Sequence, residues 1–235
     1  MNISRPISEI TELFDVLPDV VFFTKDLDGR YTHCNKTLVH RLGCAHLDDV
    51  VGRSTCDLFP APFGTRYHQQ DLRVLGGDVL ENQLEVHLYP DRAAGWCLTF
   101  KRPMAVAGKI VGLIGISRDL GQPDTRHSSF AQLEKVVKHM QRHYGDPVRV
   151  TEMAELAGLS VAQLERVFRR VFQLTPQQFV TKIRIEAAMR KLQSTGTIAA
   201  IGQSCGFSDQ SAFSRQFKAI VGVTPRDYRV LHPGP

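Results

Sequence analysis

The sequence predicts two domains of different class. The first is an α+β domain, a five-stranded antiparallel sheet with helices, and the second is an all-α domain with two helix-turn-helix motifs. Three observations lead there. Short strands and brief helices follow one another as ββ, helices, βββ over about 110 residues. The stretch Arg166 to Phe179 recurs 49 positions later as Arg215 to Tyr228, and a repeat of this kind marks a duplicated supersecondary unit. Charge divides unevenly: residues 1–125 hold 13 Lys and Arg against 16 Asp and Glu, net −3, whereas residues 126–235 hold 16 against 8, net +8. The basic half is therefore the candidate for a polyanion partner.

Taken in order, Ile10, Leu13, Phe14 and Leu17 lie at helical spacing, so Ile7 to Leu17 reads as an amphipathic helix ended by Pro18, a cap on the following domain or a dimer contact. Val20 to Lys25 is a strand, Asp26 to Gly29 a turn, and Tyr31 to Cys34 the return strand of a hairpin. Asn35 can cap a helix over Lys36 to Leu42 that stops at Gly43. Asp48 to Phe63 reads as loop and short turns, the Asp48-Asp49 pair as a helix start or surface feature. A helix follows over Thr65 to Leu75, with Tyr67, Leu72 and Leu75 apolar. Three strands complete the sheet. In these Leu84, Val86 and Leu88 alternate with Glu85 and His87, Trp96, Leu98 and Phe100 alternate with Cys97 and Thr99, and Ile110 to Ser117 is continuously apolar, with Gly108 in the preceding turn. The expected domain spans residues 8–120, with helices on one face of the sheet. A polar linker, 121–127, separates it from a helical domain over 128–232 that opens with a helix from Ser128 to Tyr144.

In the helical domain Leu164, Val167, Phe168, Val171 and Phe172 form a buried stripe behind Ser160 as N-cap, and Phe213, Phe217, Ile220 and Val221 form its counterpart. Each such helix follows a shorter one, Thr151 to Ala157 or Thr197 to Cys205, that ends at a glycine, Gly158 or Gly206. Short helix, glycine turn and amphipathic second helix make a helix-turn-helix, here over about 150–172 and 197–221. The outer faces are polar and net basic. Ala162, Gln163, Glu165, Arg166 and Arg169 lie on the first, and Gln210, Ser211, Ser214, Arg215 and Lys218 on the second. A charged helix face is most often merely solvated, but the same Arg recurring at the same point of both units favours DNA contact by Arg166 and Arg215, to phosphate or to base. Pro176 to Gln193 reads as a connecting helix, with Phe179, Ile183, Ala187 and Met189 packed between the units. At about 18 residues it would span roughly 27 Å, near the ~34 Å between successive major grooves, so one monomer would reach two grooves and read an asymmetric site.

Gly206 to Lys218, followed by Gly222 to Arg229, resembles the signature of AraC-type transcription regulators, and the likeness covers about residues 128–230. The resemblance implies sequence-specific binding of double-stranded promoter DNA by two helix-turn-helices on a central helix, with RNA polymerase as a further partner. Members of that family activate transcription more often than they repress it. Three positions depart from the pattern. Gln173 stands where the second copy has Gly222, Gly202 where the first has Ala154, and Ala212 where the family commonly has His. Gly202 on propensity alone costs up to ~1 kcal/mol. The N-terminal order, with Asp26 to Gly29, Asn35, Gly43, Gly52, Asp57 to Pro60 and Gly115 to Leu120, resembles a PAS domain. That likeness implies sensing of a small-molecule effector or homodimerisation, with a ligand or cofactor sometimes held between sheet and helices.

The chemistry classes narrow further. No Ser/His/Asp motif, phosphate-cradling loop or metal-ligand spacing occurs, so no enzymatic activity, catalytic residue or metal is expected. His68 lies where haem-binding PAS domains can place an iron ligand, but a helical His beside Gln69 and Gln70 reads as solvated. His33, His40 and His87 lie elsewhere in the domain. Neither Cys34 nor Cys56 has the neighbours of a flavin-reactive cysteine, so neither haem nor flavin is expected and no cofactor-binding residue is ranked. Trp96 reads as a core aromatic before a ligand-stacking one. Five cysteines without a CxxC pair point to reduced thiols. The absence of a signal-like or membrane-length apolar run predicts a soluble, cytoplasmic protein.

Overall fold

The computed structural model describes residues 4–88, 94–120 and 130–232, and it divides after Leu120 into two units. The predicted linker, 121–127, and the start of the helix expected at Ser128 lie outside the described residues.

In the first unit β1 (Val20–Lys25), β2 (Tyr31–Cys34), β3 (Leu80–Leu88), β4 (Ala94–Val106) and β5 (Lys109–Asp119) form one antiparallel sheet in the order β2-β1-β5-β4-β3. Local chemistry sets the hairpins. The Asp26 carboxylate accepts from the backbone N–H of Asp28 (3.0 Å) and Arg30 (2.8 Å). Ala107 and Gly108, both at positive φ, make the two-residue turn between β4 and β5.

The helices of this unit are α1 (Ser4–Phe14), α2 (Lys36–Arg41), α3 (Thr55–Leu58) and α4 (Ala61–Leu75). Three expectations are corrected. First, α1 ends at Phe14 and not at Leu17, since the residue before a proline is pushed out of the helical region. Second, α4 starts at Ala61, ahead of the expected Thr65. Pro60 and Pro62, which read as loop, sit at its N-cap and first turn, where a missing N–H costs no helical bond. Leu72, expected inside, is exposed, and the buried face of α4 carries Arg66, Gln70, Asp71 and Val74. Third, helices cover both faces of the sheet. Phe14 of α1 stacks on Phe22 at 4.7 Å, while Phe23, which points the other way along β1, belongs to the core with Leu38 of α2 and Val74 of α4.

Asn35 does more than cap. It is fully buried, its Oδ1 accepts from Phe22 N (3.0 Å) and Leu38 N (3.3 Å), and its Nδ2 donates to Phe14 O (3.0 Å) and Val20 O (2.8 Å). One side chain thus joins α1, β1 and α2. The predicted acidic pair also finds a place: Asp49 ends a 3-10 turn over Leu47–Asp49 and accepts from the backbone N–H of Ala45 and His46.

The second unit comprises α5 (Phe130–Arg142), α6 (Val150–Ala157), α7 (Val161–Phe172), α8 (Pro176–Lys191), α9 (Ile198–Ser204), α10 (Gln210–Val221) and α11 (Pro225–Leu231). The repeated Thr-Pro is a repeated helix start. Thr175 caps α8 by accepting from Gln178 N (3.1 Å), Thr224 caps α11 by accepting from Asp227 N (3.1 Å), and a proline follows each in the first turn.

The core of the first helix-turn-helix joins Leu164, Phe168, Val171 and Phe172 of α7 to Leu133 and Met140 of α5 and Val180 of α8. Burying a side chain of this size contributes about 1.5–3 kcal/mol. Phe179 of α8 meets Phe168 and Phe172 at ring distances of 5.5 and 4.9 Å, so α8 packs as the sequence suggests. Its fully buried side chains, however, are Pro176, Val180, Ile185, Ala187 and Ala188. A helix wedged between two units buries more than one face, and a single-stripe reading misses that.

Candidate nucleic-acid interface and ligand cavity

In the helical unit both second helices start from side-chain caps. Ser160 accepts from Gln163 N (3.3 Å) while Gln163 Oε1 accepts from Ser160 N (2.9 Å), a reciprocal capping box at the head of α7. Gln163, a candidate DNA contact, therefore has its amide oxygen engaged in the cap. Asp209 starts α10 by accepting from Ala212 N at 2.7 Å. Opposite the buried stripes, Ala162, Gln163, Arg166 and Arg169 are exposed on α7 and Gln210, Ser211, Arg215 and Lys218 on α10, with Glu165 and Ser214 half-buried. Among the described residues, Glu165 and the four basic side chains of these faces enter no ion pair. Each face thus presents exposed cations outside any ion pair, although Arg215 still feels the Asp209 carboxylate at the head of its helix, and such cations suit phosphate contact. Helix α8, 16 residues long against the 18 expected, spans roughly 24 Å at 1.5 Å per residue.

The glycine positions of the two units resolve differently. Gly222 takes the left-handed conformation at the end of α10, and Gln173 takes the same one after α7, at φ 59°, with its buried Oε1 lacking a hydrogen-bond partner. A non-glycine residue there carries strain. Gly202, on propensity a loss, has a packing reason. A Cβ at that position would lie 2.8 Å from the Phe213 ring.

The N-terminal unit holds a partly open cavity of about 60 Å³ between its sheet and α2, α3 and α4. Its position follows from a reversal of the expected strand phase. Glu85, His87, Cys97 and Thr99, which read as the outward positions of β3 and β4, line the cavity. Trp96 is half-buried on the opposite phase and is not among the lining residues. Lys25 and Lys101 project inward too, and the helices supply their partners. Asp71 accepts from Lys25 Nζ (2.5 Å) through one oxygen and from Lys101 Nζ (2.7 Å) through the other, while Lys101 also donates to Gln70 Oε1 (3.1 Å). Glu85 receives Gln70 Nε2 (2.5 Å) and the Arg66 guanidinium.

Burial pushes the Asp71 carboxyl up, but Lys101 and then Lys25 outweigh it and hold the group below the usual range. For Glu85 burial is outweighed in the same way, chiefly by Arg66. Burial, and secondarily Arg41, pushes His87 down to about 3. Its Nε2 lies 3.7 Å from Asp119, a distance that could mark an ion pair. The imidazole is neutral at physiological pH, so this is not one. The ion pair there is Arg41 with Asp119, at 2.6 Å.

The sequence does not disclose this network, because buried charge is rare and the apolar strand residues read as the inward ones. A signal existed: Val21, Phe23 and Lys25 share one phase of β1, so placing the first two inward places the third with them. Of the histidines weighed for haem, His68 lies on α4 with a buried, unpartnered Nδ1 and is not a lining residue, whereas His87 is one.

Residues 153–230 match a family model described as a helix-turn-helix domain, and residues 14–125 match one described as a PAS fold. Over 103 residues the chain is 35% identical to the HTH-type transcriptional regulator ArgR of Pseudomonas aeruginosa, covering 43% of this chain and 31% of that protein. Over 114 residues it is 32% identical to the HTH-type transcriptional regulator CdhR of the same species, covering 48% and 34%. The chain thus spans about a third of the length of these curated relatives. A solved transcriptional regulator with an AraC-type DNA-binding domain from Chromobacterium violaceum is 30% identical, covering 46% of this chain and 96% of that one at a TM-score of 0.43. Among the described residues no helix is long and apolar enough to cross a membrane.

Proposed function

We propose that this chain, which joins a PAS fold to an AraC-type helix-turn-helix domain, is a sequence-specific DNA-binding transcription regulator controlled by its N-terminal unit. The observation that carries this reading is the pair of exposed basic faces at equivalent points of two duplicated helix-turn-helices, in the half of the chain with net +8. Ala162, Gln163, Glu165, Arg166 and Arg169 would meet one groove, and Gln210, Ser211, Ser214, Arg215 and Lys218 another. The DNA site of a monomer is then asymmetric, and cation–phosphate contacts supply a salt-dependent share of the affinity.

The N-terminal unit senses a small molecule in its cavity or mediates pairing with a second copy. A change there alters how productively the helical unit engages promoter DNA and, through it, RNA polymerase. Genomic footprinting of the full chain tests the proposal. Discrete protected promoter sites are expected, lost in an Arg166→Ala, Arg215→Ala double variant. Uniform weak binding with no preferred sequence would refute it.

A further inference from the structure

The cavity of the N-terminal unit is short of negative charge. Among the described residues the buried ionic side chains at its wall and directly behind it are Lys25, Arg66 and Lys101 against Asp71 and Glu85, three cations and two carboxylates, of which Lys25, Lys101 and Glu85 line the cavity itself. Both carboxylates are already shared, Asp71 between the two lysines and Glu85 between Arg66 and Gln70. The Arg41–Asp119 pair beside them balances itself, and His87 is neutral. Removing an ion from water without a full counter-charge is unfavourable. Lys25 registers the shortage: burial first, partly offset by Asp71, and then repulsion by Lys101 bring its ammonium down to about 8.

A second, independent observation lies on the same wall. The Thr55 hydroxyl is buried, has no hydrogen-bond partner, and belongs to a residue that lines the cavity alongside Lys25 and Lys101. Unmet buried polar groups are rare in native proteins and ask for an occupant. Opposite Glu85, His87 and Thr99, part of the lining is apolar and flat. Phe59 and Tyr67 pair edge to face at 5.0 Å, Phe23 and Tyr31 at 5.7 Å, and Val21 and Leu38 add aliphatic surface. The space is that of several water molecules, at the small end for an organic ligand.

We propose that this cavity binds a small aromatic monocarboxylate, its ring against the Phe23, Phe59 and Tyr67 walls and its carboxylate toward the Lys25 and Lys101 ammonium groups and the Thr55 hydroxyl. The inference deepens the sensor reading of the N-terminal unit and rests on it. One negative charge brings the buried set to balance, and a carboxylate accepts from several donors at once.

The test is thermal denaturation of the full chain with benzoate, 4-hydroxybenzoate and cinnamate, each beside its primary amide at equal concentration. At least one acid should raise the midpoint by roughly 2–4 °C at saturation, with its amide binding at least tenfold more weakly. Lys25→Met removes one cation while leaving Lys101 on Asp71. It should raise the midpoint of the unliganded protein and abolish the response to acid. Thr55→Val, a milder change, should weaken the response without loss of fold. Equal responses to acid and amide, or none to any acid, would overturn the proposal. An acid that binds but leaves the DNA affinity of the full chain unchanged would instead sink the sensor reading and leave the ligand class standing.

Discussion

In the first helix-turn-helix Ala154 and Leu164 share one core, and at the equivalent places the second has Gly202 and Phe213. The larger ring of the second copy takes the space that a methyl group would need on α9. Its turn differs as well: from turn glycine to N-cap the first copy runs Gly158 to Ser160, the second Gly206 to Asp209, one residue longer. At the far end the asymmetry reverses, since the second copy has the relaxed Gly222 and the first the strained Gln173. Duplicated units thus keep their caps and basic faces while exchanging volume between partner positions. Departures from the shared pattern must be read in pairs and not one residue at a time.

The largest effect expected from breaking this pairing is in the core. Gly202→Ala should destabilise the protein by about 1–3 kcal/mol through overpacking against Phe213, even though alanine is the better helix former. Phe213→Leu in the same chain should recover a large part of that loss, because the double variant recreates the first copy's pair. The converse change, Leu164→Phe, should be costly alone and relieved by Ala154→Gly. Urea denaturation of the single and double variants measures the coupling, and additive single effects would mean that the two positions do not compensate.

The next contrast concerns the outer faces. Arg215→Ala should cost about 1–3 kcal/mol of DNA affinity and alter preference in one half of the site. Glu165→Ala should relax preference in the other half with little loss of non-specific affinity, since a carboxylate among phosphates is repelled unless it accepts from a base or orients Arg166. Selecting preferred sites from random DNA with each variant separates them. Changes at the same base positions would disprove a division of the site between α7 and α10.

The smallest contrast lies at the helix ends. Gln173→Gly should stabilise by up to about 1 kcal/mol, relieving a left-handed non-glycine residue, and Gly222→Ala should destabilise by a similar amount. Melting curves that shift in the same direction for both would show that the left-handed residue is not what separates the two ends.

What the sequence disclosed was whatever local chemistry enforces. Asn35, Ser160 and Thr197 announce helix starts because a side-chain oxygen takes an orphan N–H within three residues. The hairpin at Gly108 follows from turn geometry, and the repeat from chain comparison alone. What stayed hidden depended on distant partners. From Leu84 to His87 every side chain is buried, so alternation no longer tells the two faces of β3 apart. Asp71 reads as one more surface acid on a helix until Lys25 and Lys101 are brought beside it, 46 and 30 residues away in the chain. The start of α4 is hidden for a third reason: Pro60 and Pro62 signal a boundary without saying on which side of it the helix lies.

The fourfold bonding of Asn35 has a consequence for the order of assembly. Three of its partners, Val20, Phe22 and Leu38, come together when β1 and β2 close and α2 follows, whereas Phe14 is contributed by α1 across 21 residues. The amide hydrogen that Phe14 accepts is positioned only after the hairpin exists, so α1 has its docking point made for it by the rest of the unit. As a hypothesis, α1 is the last element to join and the first to leave. Native-state hydrogen exchange should find its amides opening at lower free energy than those of β1, and equal protection of the two would show that they form as one cooperative block.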